Sequence, residues 1–220
     1  MKKRKISLFL NILIIIFEII GLIITYKKNG RVGIEYYTED SNIIALLTSS
    51  IFVLFLLTNK KIPKFLKQLK YISTICLSVT LLVVIFILAP MYNFNYNFLL
   101  FKNELLYHHL LCPILSIITF IFFDEIETYN LKENIFSLSF TIIYAIVLII
   151  LNIVKIVDGP YPFLQIYNQS IIMSIVWAIT ILVITYIIAL ILRKLQYRNN
   201  KRRNKIERRT YEQKYEDAKI

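Results

Sequence analysis

Six stretches of this chain, each roughly twenty residues long and nearly free of charge, constrain its fold more than any other feature. They run over about 6–25, 37–58, 71–89, 104–123, 136–155 and 171–193. A helix needs about 20 apolar residues to cross ~30 Å of hydrocarbon, and each stretch meets that length. None shows the polar stripe, repeating every turn, of a helix on a soluble core. None alternates polar and apolar residues as a barrel strand does, and lipid leaves no other backbone solution than a helix. The expected fold is therefore all-α: a polytopic membrane bundle of six transmembrane helices. The hydrophobic fraction of 57% and mean hydropathy of +0.63 agree, because a soluble unit of 220 residues has too little interior for so much apolar side chain. The basic start followed by an apolar run has the outline of a signal peptide. The run from Ile6 to Thr25 is too long for that, and no small-x-small cleavage pattern follows, so it reads as an uncleaved first helix.

The net charge of +12 would suggest a nucleic-acid partner in a soluble protein. Here the basic residues follow the topology instead. The N-terminal segment, the loop Asn59–Lys70, the loop Asp124–Asn134 and the tail from Arg193 lie on one side and hold 21 Lys and Arg, against five on the other. That bias places both termini in the cytoplasm of a cell membrane. The chain divides into a membrane domain, 1–193, and a basic cytoplasmic tail, 194–220. The tail reads as a topology anchor with a helical extension, or as a contact for anionic lipid headgroups, worth ~1 kcal/mol per basic residue near the surface. Nucleic acid is not an expected partner. Cys76 and Cys112 lie within apolar spans and form no disulfide framework. The two halves show no internal repeat, and Pro113 in the fourth span has no counterpart in the first, which disfavours a transporter.

Polar and ionisable groups inside the bilayer are costly and need a reason. Glu18, His108, His109, Asn152 and Lys155 are the candidates. At ~1.5 Å rise per residue, Glu18, His109 and Asn152 fall in one layer of the outer half of the membrane. The second-helix head Tyr36–Asn42 and the loop Asp158–Phe163 gather on the same face, where a pocket is expected. Each residue also has a plain structural reading. Glu18 can be a protonated group bonded to a neighbouring helix, a histidine a satisfied helix–helix contact, and Thr38 a helix-start residue. The adjacent histidines point ~100° apart on an ideal helix and cannot easily grip one metal together. A histidine with Cys112 has helix-face spacing but lacks further ligands. Neither metal nor cofactor is expected.

Three motifs carry a resemblance. Tyr36-Tyr37-Thr38-Glu39-Asp40-Ser41-Asn42 resembles the aromatic-Thr-x-x-Ser-Asn start of the second helix in a group of bacterial six-pass membrane proteins. His109, four residues before Pro113, and the loop Gly159-Pro160-Tyr161-Pro162-Phe163-Leu164 resemble two further motifs of that group, in the same order. Gln165 stands where the group commonly has an acid. The group is similar to the animal androgen-induced and androgen-dependent TFPI-regulating proteins, six-pass hydrolases of fatty acid esters of hydroxy fatty acids. The resemblance implies a membrane hydrolase of lipid-like esters with Thr38 as nucleophile and His109 as its base. Glu18, from its depth alone, is placed to orient the histidine. The other reading is a non-catalytic membrane protein: a scaffold, an accessory subunit or a lipid-binding protein.

Overall fold

The computed structural model describes residues 2–31, 33–124 and 131–217. The described residues are helical with no strand, and six helices are long and apolar enough to cross a membrane. The protein is an all-α, multi-pass membrane helix bundle. Its helices are α1 (Lys2–Asn29), α2 (Tyr37–Leu57), α3 (Lys64–Met91), a short α4 (Tyr96–Phe101), α5 (Leu106–Phe123), a short α6 (Leu131–Phe136), α7 (Ser139–Ile153) and α8 (Ile171–Asp217). Part of the expected acidic loop after Asp124, residues 125–130, and the last three residues of the tail lie outside the described residues.

Local chemistry sets the helix ends. α1 stops at Gly30, whose φ of +71° suits glycine, and the Gly30 amide donates to the Tyr26 carbonyl at 2.8 Å. Lys27 and Lys28 in its last turn complement the helix dipole. α2 opens with Glu39 and Asp40 in its first turn, and α3 starts directly after Pro63. α3 thus begins at Lys64 rather than at the expected 71, so Lys67 and Lys70 belong to a helix and not to a loop. α8 runs unbroken past the expected end at 193, into the basic tail as far as Asp217.

Two prolines shape the helices that carry the interior polar groups. A proline inside a helix lacks an amide and collides with the carbonyl four residues before it. The turn ahead of Pro90 in α3, Val84–Leu88, is wound as π-helix. The turn ahead of Pro113 in α5, Leu106–Leu111, is wound the same way and holds both histidines. The spacing of four between His109 and Pro113 therefore has a mechanical meaning: it frees the His109 carbonyl and loosens the turn that aims the two rings.

α3 is the central helix, flanked by α2 and α5 and touched by α7 and α8. α1 packs along α2 and α5. On the far side of α3, Tyr71 stacks on Phe120 with ring centroids 5.2 Å apart and donates to the Ala189 carbonyl at 2.7 Å, tying α3, α5 and α8 together. α1, α2, α3 and α5 thus enclose one interior, and α2, α3, α7 and α8 border another.

Candidate functional site

The interior bordered by α2, α3, α7 and α8 is an apolar cavity of about 620 Å³, within the ~300–1,000 Å³ range of small-molecule sites. Its walls are Val79, Val83 and Leu88 of α3, Ile149 and Ile153 of α7, and Ile175 and Leu182 of α8, among others. Polar groups are confined mainly to its head, where Thr38, Thr80, Thr141 and Tyr161 meet it.

That head is rigidly built. The Tyr37 hydroxyl bonds Thr141 at 2.9 Å, and its ring packs on Phe140 and Tyr144. Tyr144 donates to the Glu35 carbonyl at 2.8 Å. The loop over the cavity is closed by Gly159, whose missing Cβ would strike the Leu164 carbonyl, so only glycine fits there. Gln165 donates to the Gly159 carbonyl at 3.2 Å across the same turn. This closure holds Tyr161 stacked on Phe163, with centroids 5.3 Å apart, and Phe163 in turn packs on Trp177 of α8.

Thr38 does not cap its helix. Tyr36 is the N-cap and makes no side-chain cap bond. The Thr38 hydroxyl instead meets the Tyr161 hydroxyl at 3.4 Å, on the cavity wall. Ser41 and Asn42 both donate to the Thr38 carbonyl, at 2.9 and 2.7 Å, and fix the turn behind it. Burial pushes the Tyr161 phenol up to about 12, so at neutral pH it is a hydrogen-bond donor and not a base.

Glu18 and His108 lie in the interior enclosed by α1, α2, α3 and α5. Glu18 of α1 does meet a histidine of the fourth span, as the depth arithmetic requires, but the partner is His108. Its Nε2 is 3.8 Å from Glu18 Oε2, and its Nδ1 is 3.5 Å from Glu39 Oε1 of α2. His108 and Glu18 are fully buried. Gly21 makes the space, since a Cβ there would overlap the His108 ring. His109 points elsewhere: its Nδ1–H donates to the Leu99 carbonyl of α4 at 2.7 Å, which leaves Nε2 as the acceptor nitrogen. The Cys112 thiol approaches the Ile14 carbonyl at 4.0 Å. Asn152 is buried near the end of α7.

Among the described residues no hydrogen bond joins Thr38 to either histidine. The head of α2 nevertheless reaches the histidine layer, because Glu39 follows Thr38 directly and Asn42 donates toward the His108 carbonyl at 3.5 Å. Straight-helix arithmetic separates these two layers by ~9 Å. The two π-wound ends of α5 change the register that this arithmetic assumes.

Sequence reasoning missed several interior groups. Lys70 is fully buried and donates to Asn11 Oδ1 at 2.7 Å and Ser49 Oγ at 3.1 Å. Asp124, at the end of α5, is buried and accepts from Ser7 at 2.8 Å. Burial raises its carboxyl above the usual carboxylate range, with the Lys70 ammonium and the Ser7 bond opposing the rise. The spacing of Ser7, Asn11 and Glu18, four and then seven residues, was the available signal: it places all three on one face of α1.

Fold and interior together define a multi-pass membrane protein with two separate features, a capped apolar cavity and a buried polar seam. The chain matches no family model, no curated protein and no solved structure.

Proposed function

We propose that this protein is an intramembrane hydrolase of acyl-lipid esters, seated in a cell membrane with both termini in the cytoplasm. The observation that carries the proposal is the position of Thr38, a hydroxyl at the polar head of a large apolar cavity. An acyl chain along α7 and α8 would bring its ester to that head. The resemblance of the Tyr36–Asn42, His109–Pro113 and Gly159–Leu164 motifs to a bacterial six-pass group similar to lipid-ester hydrolases supports the same reading.

The chemistry runs in two steps. The Thr38 oxygen bonds to the ester carbonyl carbon while its proton passes to a base, and the alcohol leaves with a proton. Water then cleaves the acyl-threonine and releases the fatty acid. His109, with Nδ1–H tied to the Leu99 carbonyl, keeps the Nε2 lone pair needed for the base role, provided α2 and α5 approach when substrate binds. The Tyr161 phenol is a donor for the ester oxygen.

A second reading, lipid binding without turnover, is favoured by one observation: the hydroxyl bonded to Thr38 belongs to Tyr161 and not to a histidine. A hydroxyl-directed fluorophosphonate probe on the detergent-purified protein separates the two. The hydrolase predicts labelling that vanishes in Thr38→Ala and in His109→Ala. Absence of labelling, or labelling that survives Thr38→Ala, leaves the lipid-binding reading.

A further inference from the structure

The seam enclosed by α1, α2, α3 and α5 is not used by the chemistry above, and it contains most of the buried charge of the membrane domain. α1 contributes Ser7, Asn11 and Glu18; α2 contributes Glu39 and Ser49; α3 contributes Lys70 and Thr74; α5 contributes His108, Cys112 and Ser116. On α5 the three are spaced by four and so share one face. Asp124 closes the seam at the end of α5.

We propose that this seam is a proton pathway through the membrane domain. Its outer half is a histidine between two carboxylates: Glu39 Oε1 at 3.5 Å from Nδ1, and Glu18 Oε2 at 3.8 Å from Nε2. Neither ring nitrogen of His108 makes a hydrogen bond within the protein. A purely structural buried network satisfies its members. Here the separations lie just beyond direct bonding, within reach of one water or a small rotation. Its inner half is a connected chain: Lys70 to Asn11 Oδ1 at 2.7 Å, Asn11 Nδ2 to the Ser7 hydroxyl at 3.4 Å, and the Ser7 hydroxyl to Asp124 at 2.8 Å. Thr74 and Ser116 bond at 2.8 Å beside it.

The transfers balance. The Glu39 carboxyl gives its proton to His108 Nδ1, and the imidazolium gives its Nε2 proton to the Glu18 carboxylate. Rotation of the ring, or exchange of its tautomer, restores the starting form. The Lys70 ammonium passes a proton toward the Asp124 carboxylate, and the proton arriving from Glu18, with which Lys70 interacts electrostatically, re-forms the ammonium. His109, beside His108, Glu104, paired with Lys28, and Asp40, beside Glu39, are further ionisable groups at the outer end.

Between the halves, Ala45, Leu77 and Cys112 pack with Phe17 into a tight apolar layer. The Cys112 thiol, against Glu18, is the hydrogen-bonding side chain of that layer. Such a constriction passes protons by relay and excludes hydrated ions. Relay along fixed side chains needs no alternating access, so the absence of an internal repeat does not oppose it.

The test uses the full chain in liposomes containing a pH-sensitive dye, with potassium and valinomycin clamping the potential during an external acid step. Acidification well above that of protein-free liposomes, lost in Glu18→Gln and in Cys112→Val but kept in Cys112→Ser and in lipid-facing Ile146→Ala, is the expected result. Acidification no faster than in protein-free liposomes overturns the proposal. So does a rate that is the same in Cys112→Val and Cys112→Ser, a pair small enough to be compared if the glutamate variant fails to fold.

Discussion

Gly21 and His108 illustrate how single residues set this interior. A methyl group at Gly21 would occupy the space of the imidazole ring. Gly21→Ala should therefore displace His108 and lower stability by ~1–3 kcal/mol, the usual cost of overpacking, read as a lower midpoint of thermal unfolding in detergent. Lys70 gives a second expectation. Lys70→Met leaves Asp124 buried without its cation and should cost ~3–5 kcal/mol, while the double variant Lys70→Met/Asp124→Asn recovers part of the loss. Equal midpoints for single and double variants would show that the two groups do not depend on each other. Tyr161 supplies a pH dependence. Its phenol titrates near 12 in the folded protein, above the ~10 of an unfolded chain. Folding thus favours the protonated phenol, and the stability this gives is complete below pH ~10 and lost as pH rises toward 12. Thermal midpoints measured across that window should fall more steeply for the native protein than for Tyr161→Phe.

At the scale of elements, span number and type were legible because ~30 Å of hydrocarbon leaves a helix no alternative. Boundaries were legible only where polarity changes abruptly. The start of α2 at Tyr37 was recovered to the residue, since a polar head meets an apolar run there. The start of α3 was not: Lys67 and Lys70 look like loop charges, yet both are buried and Lys70 is an interior donor. The depth arithmetic brought Glu18 to a histidine of α5 but not to the intended one, because the π-wound turn ahead of Pro113 re-aims both rings. α8, at ~1.5 Å per residue over 47 residues, is about 70 Å long and extends well beyond the ~30 Å of the bilayer core. Its basic end is expected in the cytoplasm, against anionic headgroups. Cys76 and Cys112 are both buried, so a cysteine introduced as Asn200→Cys can be read selectively. In intact cells it should resist a membrane-impermeant maleimide and react after permeabilisation. Reaction in intact cells would reverse the orientation.

At the scale of the whole molecule, α3 separates two interiors of opposite character. The polar seam was partly visible in sequence, through Glu18 and the two histidines. The head of the cavity was expected where the Tyr36–Asn42 and Asp158–Phe163 segments gather, but its walls were not, because the residues that form them, such as Ile149 and Ile175, are the same residue types that face lipid on the other side of α7 and α8. Only the packing distinguishes them. The central claim is that an acyl chain lies in this cavity with its ester beside Thr38. A fatty acid ester carrying a terminal diazirine, photolysed on the detergent-purified protein and mapped by mass spectrometry, tests it most directly. The account predicts adducts on the cavity walls of α7 and α8, around Ile149, Ile153, Ile175 and Leu182, that disappear when Ala178→Trp fills the space. Adducts spread over outward-facing residues such as Ile143 and Ile172, and unchanged by Ala178→Trp, would contradict it.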